Sequence, residues 1–273
     1  MKLVAPLLRL LAIFVMGVAG LVMFQDRLLY YPDRVPVAEL VRTTPGARSW
    51  PSDDDFQALV VEPSDGEARA TIIVFHGNAG HAGHRGFYAE ALTPLGMRVI
   101  LAEYPGYGPR SGKPGEDSLV ADAVATITAA RREFGGPLFL LGESLGAGVA
   151  AAASDQLGHA GIDGLMLVTP WDALVNIAAY HYGWLPRPLL VWGLQDRYDS
   201  VAHLAGFHGR VSVVLAEEDS IVPASFGQRL FDSVVTDKRR FLIRAADHND
   251  WVERIDAAWW RGITQWLLAA PDA

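Results

Sequence analysis

The chain has 273 residues, with 23 Lys and Arg against 31 Asp and Glu, a formal charge of −8, and no cysteine. The acidic balance without a dense basic cluster excludes a nucleic-acid footprint, and the lack of cysteine excludes disulfides, thiolate metal sites, a cysteine nucleophile and a lipidated cysteine. At 51% hydrophobic and 20% charged residues the composition is globular, and the length suits one large domain with a substantial core.

Residues 1–34 read MKLVAPLLRLLAIFVMGVAGLVMFQDRLLYYPDR. Leu10–Phe24 carries no charge, and extension back to Leu3 meets only Arg9, so the run is long enough to span a bilayer. A secretory signal competes with this reading, because Lys2 and Arg9 precede the apolar run and Val18-Ala19-Gly20 offers small residues at a cut. The run continues past that cut through Leu21–Phe24, which favours an uncleaved membrane anchor over residues 1–25. Cleavage would instead leave a secreted or periplasmic protein. The following residues 26–55 are punctuated by Pro and Asp and read as a tether and surface loops.

The catalytic domain is expected over 56–273. Strands are predicted at 56–61, 71–75, 98–102, 138–141, 164–168, 211–215 and 240–243, and helices at 84–94, 117–134, 145–157, 223–235 and 250–269. In the last helix Val252, Ile255, Trp259, Ile263 and Trp266 recur at helical spacing and should face the sheet. Alternation of short β-branched runs with helices implies an α/β fold: a mostly parallel sheet with helices on both faces. Residues 170–208 interrupt the rhythm with an aromatic-rich insertion, expected to form a cap at the carboxyl side of the sheet.

Gly142-Glu143-Ser144-Leu145-Gly146 fits G-x-S-x-G between a strand and a helix, the setting of a nucleophile on a strained turn in the α/β-hydrolase fold. That fold orders its triad as nucleophile, acid and histidine. Asp219 in VVLAEEDSIVP and His248 in FLIRAADHNDWV follow in that order, each at a strand end. Asp219 is preferred to Glu217 and Glu218 because it lies farthest along the turn, and to Asp247 because a sequence neighbour seldom reaches its own histidine's ring. The backbone amides of Asn78, in IVFHGNAG, and Leu145 are assigned to the oxyanion hole. His76, His81 and His84 are set aside as metal ligands because no carboxylate cluster stands beside them, and His76 is given a loop-holding role. No cofactor is called for.

Together with the N-terminal segment, the motifs LLYYPDR, FHGNAGHAGHR, EYPGYGPRSGKPGE, GESLGAGVA, HYGWLP, RYDS, EEDSIVP and DHNDW cover nearly the whole chain. In them the chain resembles the membrane-anchored α/β-hydrolase-domain serine hydrolases, a group that includes palmitoyl-protein thioesterases, lysophospholipases, monoacylglycerol lipases and bacterial relatives. The resemblance implies nucleophile, acid and base at Ser144, Asp219 and His248, an oxyanion hole at Asn78 and Leu145, and substrates spanning thioesters, oxyesters and lipids. Two positions depart from the group: Glu103-Tyr104-Pro105 replaces Asp-Tyr-Arg, with an expected change in pocket polarity, and Ala216-Glu217 replaces His-Gly before the acid.

The expected reaction is hydrolysis of an acyl ester or thioester through an acyl-enzyme, with an apolar acyl chain favoured because an anchored domain meets amphiphiles. Tyr104 and Tyr107 at the site rim, with Trp171 and Trp184 of the insertion, are the expected substrate contacts. The alternatives are a small-molecule carboxylesterase or acyltransferase on the same fold, or a catalytically silent, membrane-tethered binding protein.

Overall fold

The computed structural model describes residues 4–269, with side chains described for 14–20 and 22–269. The chain opens with α1 (Val4–Leu29), β1 (Tyr31–Pro32), α2 (Val37–Thr43), β2 (Ala47–Pro51), β3 (Phe56–Val61), β4 (Ala70–Phe75) and β5 (Ala79–Gly80). There follow α3 (Gly86–Leu92), β6 (Met97–Ala102), α4 (Glu116–Phe134), β7 (Leu138–Glu143), α5 (Leu145–Gln156) and β8 (Gly164–Val168). The last part holds α6 (Leu174–His181), α7 (Arg187–Gly193), α8 (Ser200–His203), β9 (Arg210–Ala216), α9 (Ala224–Ser233), β10 (Lys238–Ile243) and α10 (Ala257–Leu268).

Eight strands form the central sheet in the order β10-β9-β8-β7-β4-β6-β3-β2. β3 pairs antiparallel with both β2 and β6, and every other neighbouring pair is parallel. β4, β8 and β9 are buried along their whole length, as parallel strands covered on both faces must be. The sheet separates two apolar layers, one packed around α4 and α5 and the other around α3 and α10. β10 is an edge, and exposed Arg239 and Arg240 keep it from pairing further.

β4 lies between β6 and β7: the crossover from β4 runs to β6 on one side, and the next runs from β6 back over β4 to β7 on the other. The crevice at the carboxyl ends of β4 and β7 is therefore the topological switch point, where open α/β sheets bind ligands.

Two expectations change. Residues 26–55 are not a loose tether: Tyr30, Leu40 and Trp50 are buried, and β2 completes the sheet edge. The predicted helix over 250–269 is broken at Ile255, with a 3-10 turn over Trp251–Arg254 before α10. The break follows from Asp256, which caps α10 by accepting from the Trp259 amide at 2.8 Å.

α1 is a 26-residue helix. Among the described residues no helix is long and apolar enough to cross a membrane. Much of the expected anchor, side chains 1–13, lies outside the described residues. From Val18 onward α1 packs on the cap: Val18 rests against the cluster of Ala178, Leu185 and Leu190. Gln25 donates to the Gly193 carbonyl at 3.2 Å and accepts from the Gln195 amide at 2.9 Å.

Candidate active site

β7 ends in a turn at Ser144 with φ 53° and ψ −113°, a conformation that side chains rarely adopt and that costs on the order of 1–3 kcal/mol. The flanking glycines make the turn possible. A Cβ on Gly146 would lie 2.0 Å from the Phe75 carbonyl oxygen, and one on Gly142 would lie 2.4 Å from the Gly146 carbonyl oxygen. No backbone can yield that much. α5 thus starts hard against β4, with Ser144 at its head.

The imidazole of His248, in the loop after β10, joins Ser144 to Asp219. Its Nδ1 donates to Asp219 Oδ2 at 2.8 Å, which leaves Nε2, 3.1 Å from Ser144 Oγ, to accept from the hydroxyl. The second oxygen of Asp219 accepts from the amides of Ile221 at 3.0 Å and Val222 at 2.6 Å, fixing the carboxylate plane. Asp247 takes a different part. Its Oδ1 accepts from the His248 amide and from Ser220, tying the histidine loop to the acid loop, and the Ser220 and His248 amide bonds hold its carboxyl below the usual range.

Phe75 pairs with Gly142, so the loop after β4 lies beside the elbow. Leu145 is the first residue of α5, where amides lack intrahelical acceptors. The Asn78 amide likewise donates to no backbone acceptor among the described residues. The rest of Asn78 is clamped: its carbonyl accepts from the Tyr31 amide at 2.9 Å and the Tyr107 hydroxyl at 2.7 Å, and its Nδ2 donates to Leu29 O at 2.8 Å.

Behind this loop lie two polar networks, one half-buried and one buried, that the motif reading missed. Glu143 accepts from Arg85 Nη2 at 2.5 Å and from the Tyr88 hydroxyl at 3.0 Å. Burial pushes the Glu143 carboxyl up, but the Arg85 charge and these hydrogen bonds outweigh it and hold it below the ordinary range. Glu103 pairs with His76 Nε2 at 2.9 Å and accepts from the Ala82 amide at 3.0 Å. His76 holds the loop as expected. Glu103 does not change the polarity of the cavity, because it is buried beneath the loop. The only sequence signal for either network is a charge inside an apolar strand end, Glu143 in LLGES and Glu103 in LAEYP.

A cavity of about 730 Å³ opens over Ser144 and His248, walled by apolar residues of α6, α7 and the turn between them, including Leu174, Ile177, Leu185 and Leu190. Of the four aromatic residues expected at substrate, Trp171 lines it. Tyr104 and Tyr107 do not: both are buried under the loop, their hydroxyls donating to the carbonyls of His76 and Asn78. Trp184 points outward and is 63% exposed, because the cap buries Leu185 and Leu190 instead. A carboxylate does stand beside these histidines, contrary to expectation: Asp33, from the segment after α1, comes within 4.8 Å of His81 and His84. Those two rings stack with their centroids 3.7 Å apart and a 31° tilt.

Residues 66–195 match the family model described as serine aminopeptidase, S33. An uncharacterized protein of Mycobacterium tuberculosis, Rv2307c, is 33% identical over 89% of this chain and 88% of its own length. The chain belongs to the α/β-hydrolase family of serine hydrolases. The lysophosphatidylserine lipase ABHD12 of Danio rerio is 29% identical over 70% of this chain, and the match spans 54% of that protein. Among solved structures, Est1E of Butyrivibrio proteoclasticus with ferulic acid superposes with a TM-score of 0.64 at 16% identity, covering 78% of this chain and 95% of Est1E. The monoacylglycerol lipase of Paleococcus ferrophilus gives 0.58 at 20% identity, covering 78% of this chain and 99% of its own. These two likenesses show the fold.

Proposed function

We propose that the protein hydrolyses acyl esters or thioesters bearing an apolar acyl chain, using Ser144, His248 and Asp219. The supporting observation is the hydrogen-bonded relay from Asp219 through His248 to Ser144 at the floor of an apolar cavity. The lipase name of ABHD12, a relative by sequence, points to the same substrate class.

His248 Nε2 takes the Ser144 proton as Oγ attacks the acyl carbonyl, and the amides of Asn78 and Leu145 donate to the oxyanion that forms. Collapse of the tetrahedral species breaks the bond to the leaving group, which takes the proton from His248 and departs, leaving an acyl-enzyme. Water, deprotonated by His248, then repeats the attack and frees the acid. Asp219 keeps Nδ1 protonated and stabilises the imidazolium in both halves. Ester hydrolysis needs no group beyond these and water.

The N-terminal segment is proposed to hold the domain at a membrane. Support comes from the apolar run before Val18 and from the outward faces of α1 and the cap, where Val15, Met16, Trp184 and Trp192 are exposed. Lipid contact is assigned to the sequence before Val18, because α1 packs on the cap from Val18 onward. A full span needs about 20 apolar residues.

The deciding experiment is labelling with a fluorophosphonate, beside p-nitrophenyl esters and thioesters of graded chain length, for the wild type and Ser144→Ala. Labelling and turnover by the wild type alone support the assignment. Equal labelling of both proteins, or of neither, defeats it. Flotation with liposomes tests the membrane role, and recovery of the intact chain in the lipid-free fraction would refute it.

A further inference from the structure

The cavity over Ser144 is not enclosed by the hydrolase domain and its cap alone. Val18, Val22, Gln25 and Leu28 of α1 line the same space as Ser144 and His248. α1 is also locked to both ends of that space. At one end Val18 packs into the cap's apolar cluster, and Val22 approaches Gly193 so closely that a Cβ on the glycine would meet its methyl at 2.9 Å. At the other, the Leu29 carbonyl accepts from the side chain of Asn78, whose backbone amide is assigned to the oxyanion. From Val18 to Leu29 a helix rises about 16 Å at 1.5 Å per residue. One face of α1 therefore runs beside the cavity, its aliphatic side chains pointing in while Met16, Met23 and Phe24 point away.

We propose that α1 is a wall of the acyl-binding pocket, so that the substrate's hydrocarbon chain lies between α1 and the cap helices and Val18 and Val22 set the chain length accepted. This rests on the ester-hydrolase reading above and extends it to an element whose sequence reads only as an anchor. An aliphatic wall over a slot of this kind recognises methylene groups and offers little to a polar or charged acid. Gln25 is the polar exception, and both ends of its amide are occupied by backbone groups of the cap, so it presents no free donor or acceptor geometry of its own to the chain. The Leu29–Asn78 bond adds a second consequence: displacement of α1 would disturb the loop that carries one oxyanion donor, which links proper seating of the helix to reactivity at Ser144.

The test uses the full-length protein in detergent, with p-nitrophenyl acetate, butyrate, laurate and palmitate. Val18→Phe and Val22→Phe fill the slot from the α1 side, and Met23→Phe, at a 75% exposed position on the same helix, is the control. The ratio of kcat/KM for palmitate to that for acetate should fall about tenfold or more in each filling variant, the discrimination expected when room for a methylene is lost. It should stay at the wild-type value in Met23→Phe. Fluorophosphonate labelling of each variant reports whether its Ser144 remains competent, so a misfolded variant is recognised and replaced by the smaller change Val22→Leu, for which the same fall is expected.

Unchanged chain-length profiles in labelled Val18→Phe and Val22→Phe, with a wild type that cleaves the long esters, would overturn the wall and leave the hydrolase assignment standing. A matching fall in Met23→Phe would overturn it as well. A wild type that is neither labelled nor active on any ester would instead remove the hydrolase assignment, and the wall with it.

Discussion

The two halves of the candidate site are held in different ways. Around Ser144 the geometry is fixed by backbone: a positive φ, two glycines with no room for a Cβ, a strand pair between Phe75 and Gly142, and buried polar groups satisfied by Arg85, Tyr88 and His76. Over it, the roof of α1, α6 and α7 meets through aliphatic side chains and a few hydrogen bonds, and it leaves Trp184 and Trp192 in solvent. The difference teaches that reacting atoms need fixed positions within a fraction of an ångström, whereas an acyl chain needs only apolar volume. Chemistry should accordingly be brittle on the floor, and selectivity adjustable in the roof.

The largest break in that comparison is expected from Ser144→Ala, with kcat falling on the order of a millionfold, as when a triad nucleophile is removed. Turnover within a hundredfold of wild type would show that Ser144 is not the nucleophile. Asp219→Asn should leave the folded protein intact and lower kcat about ten-thousandfold, because an amide facing Nδ1 favours the wrong imidazole tautomer. Steady-state rates check this, and a loss below tenfold would return the orienting role to another carboxylate.

Gly146→Ala tests the backbone argument directly. Its added Cβ meets the Phe75 carbonyl, so a loss of more than about 4 kcal/mol of stability is expected. Denaturant unfolding reads it, and a native-like midpoint would contradict the packing described.

Glu143→Gln leaves the half-buried Arg85 without its counter-charge, a change expected to cost about 2 kcal/mol, less than for a fully buried pair. Its dependence on pH has a definite sign. The Glu143 carboxyl is held below its ordinary 4.5 in the folded protein, so its pairing contributes fully above that value and is lost as the pH falls. The gap in melting temperature between wild type and Glu143→Gln should therefore be widest near neutrality and narrow below about pH 4.5. A gap that widens on acidification would reverse the assignment. The smallest effect belongs to the roof's outer face: Trp184→Ala should change stability by less than about 0.5 kcal/mol and leave turnover of a soluble short-chain ester unaltered.

Much of the site could be read from local sequence. G-x-S-x-G between a strand and a helix, an acid after the next-to-last strand and a histidine after the last each carry their signal within a dozen residues, and Asp219, not Asp247, meets the imidazole. The aromatic residues were harder. Tyr104, Tyr107 and Trp184 have the composition of a binding surface, yet two serve as buried supports and one faces out, because a ring's direction depends on what packs behind it. Residues 26–55 misled in the same way, since Pro and Asp mark turns without revealing that Tyr30 and Trp50 between them are buried.

By itself the sequence determined the alternation of strands and helices, the strained serine turn and the order of its partners, because each depends on neighbours along the chain: hydrophobic period, glycine freedom and strand ends. Only tertiary structure decided that Glu143 meets Arg85, that Glu103 meets His76, and that a helix legible as an anchor walls the cavity over Ser144. Those pairings join residues far apart in the chain, and they form where burial leaves a charge or an aliphatic face with no other partner.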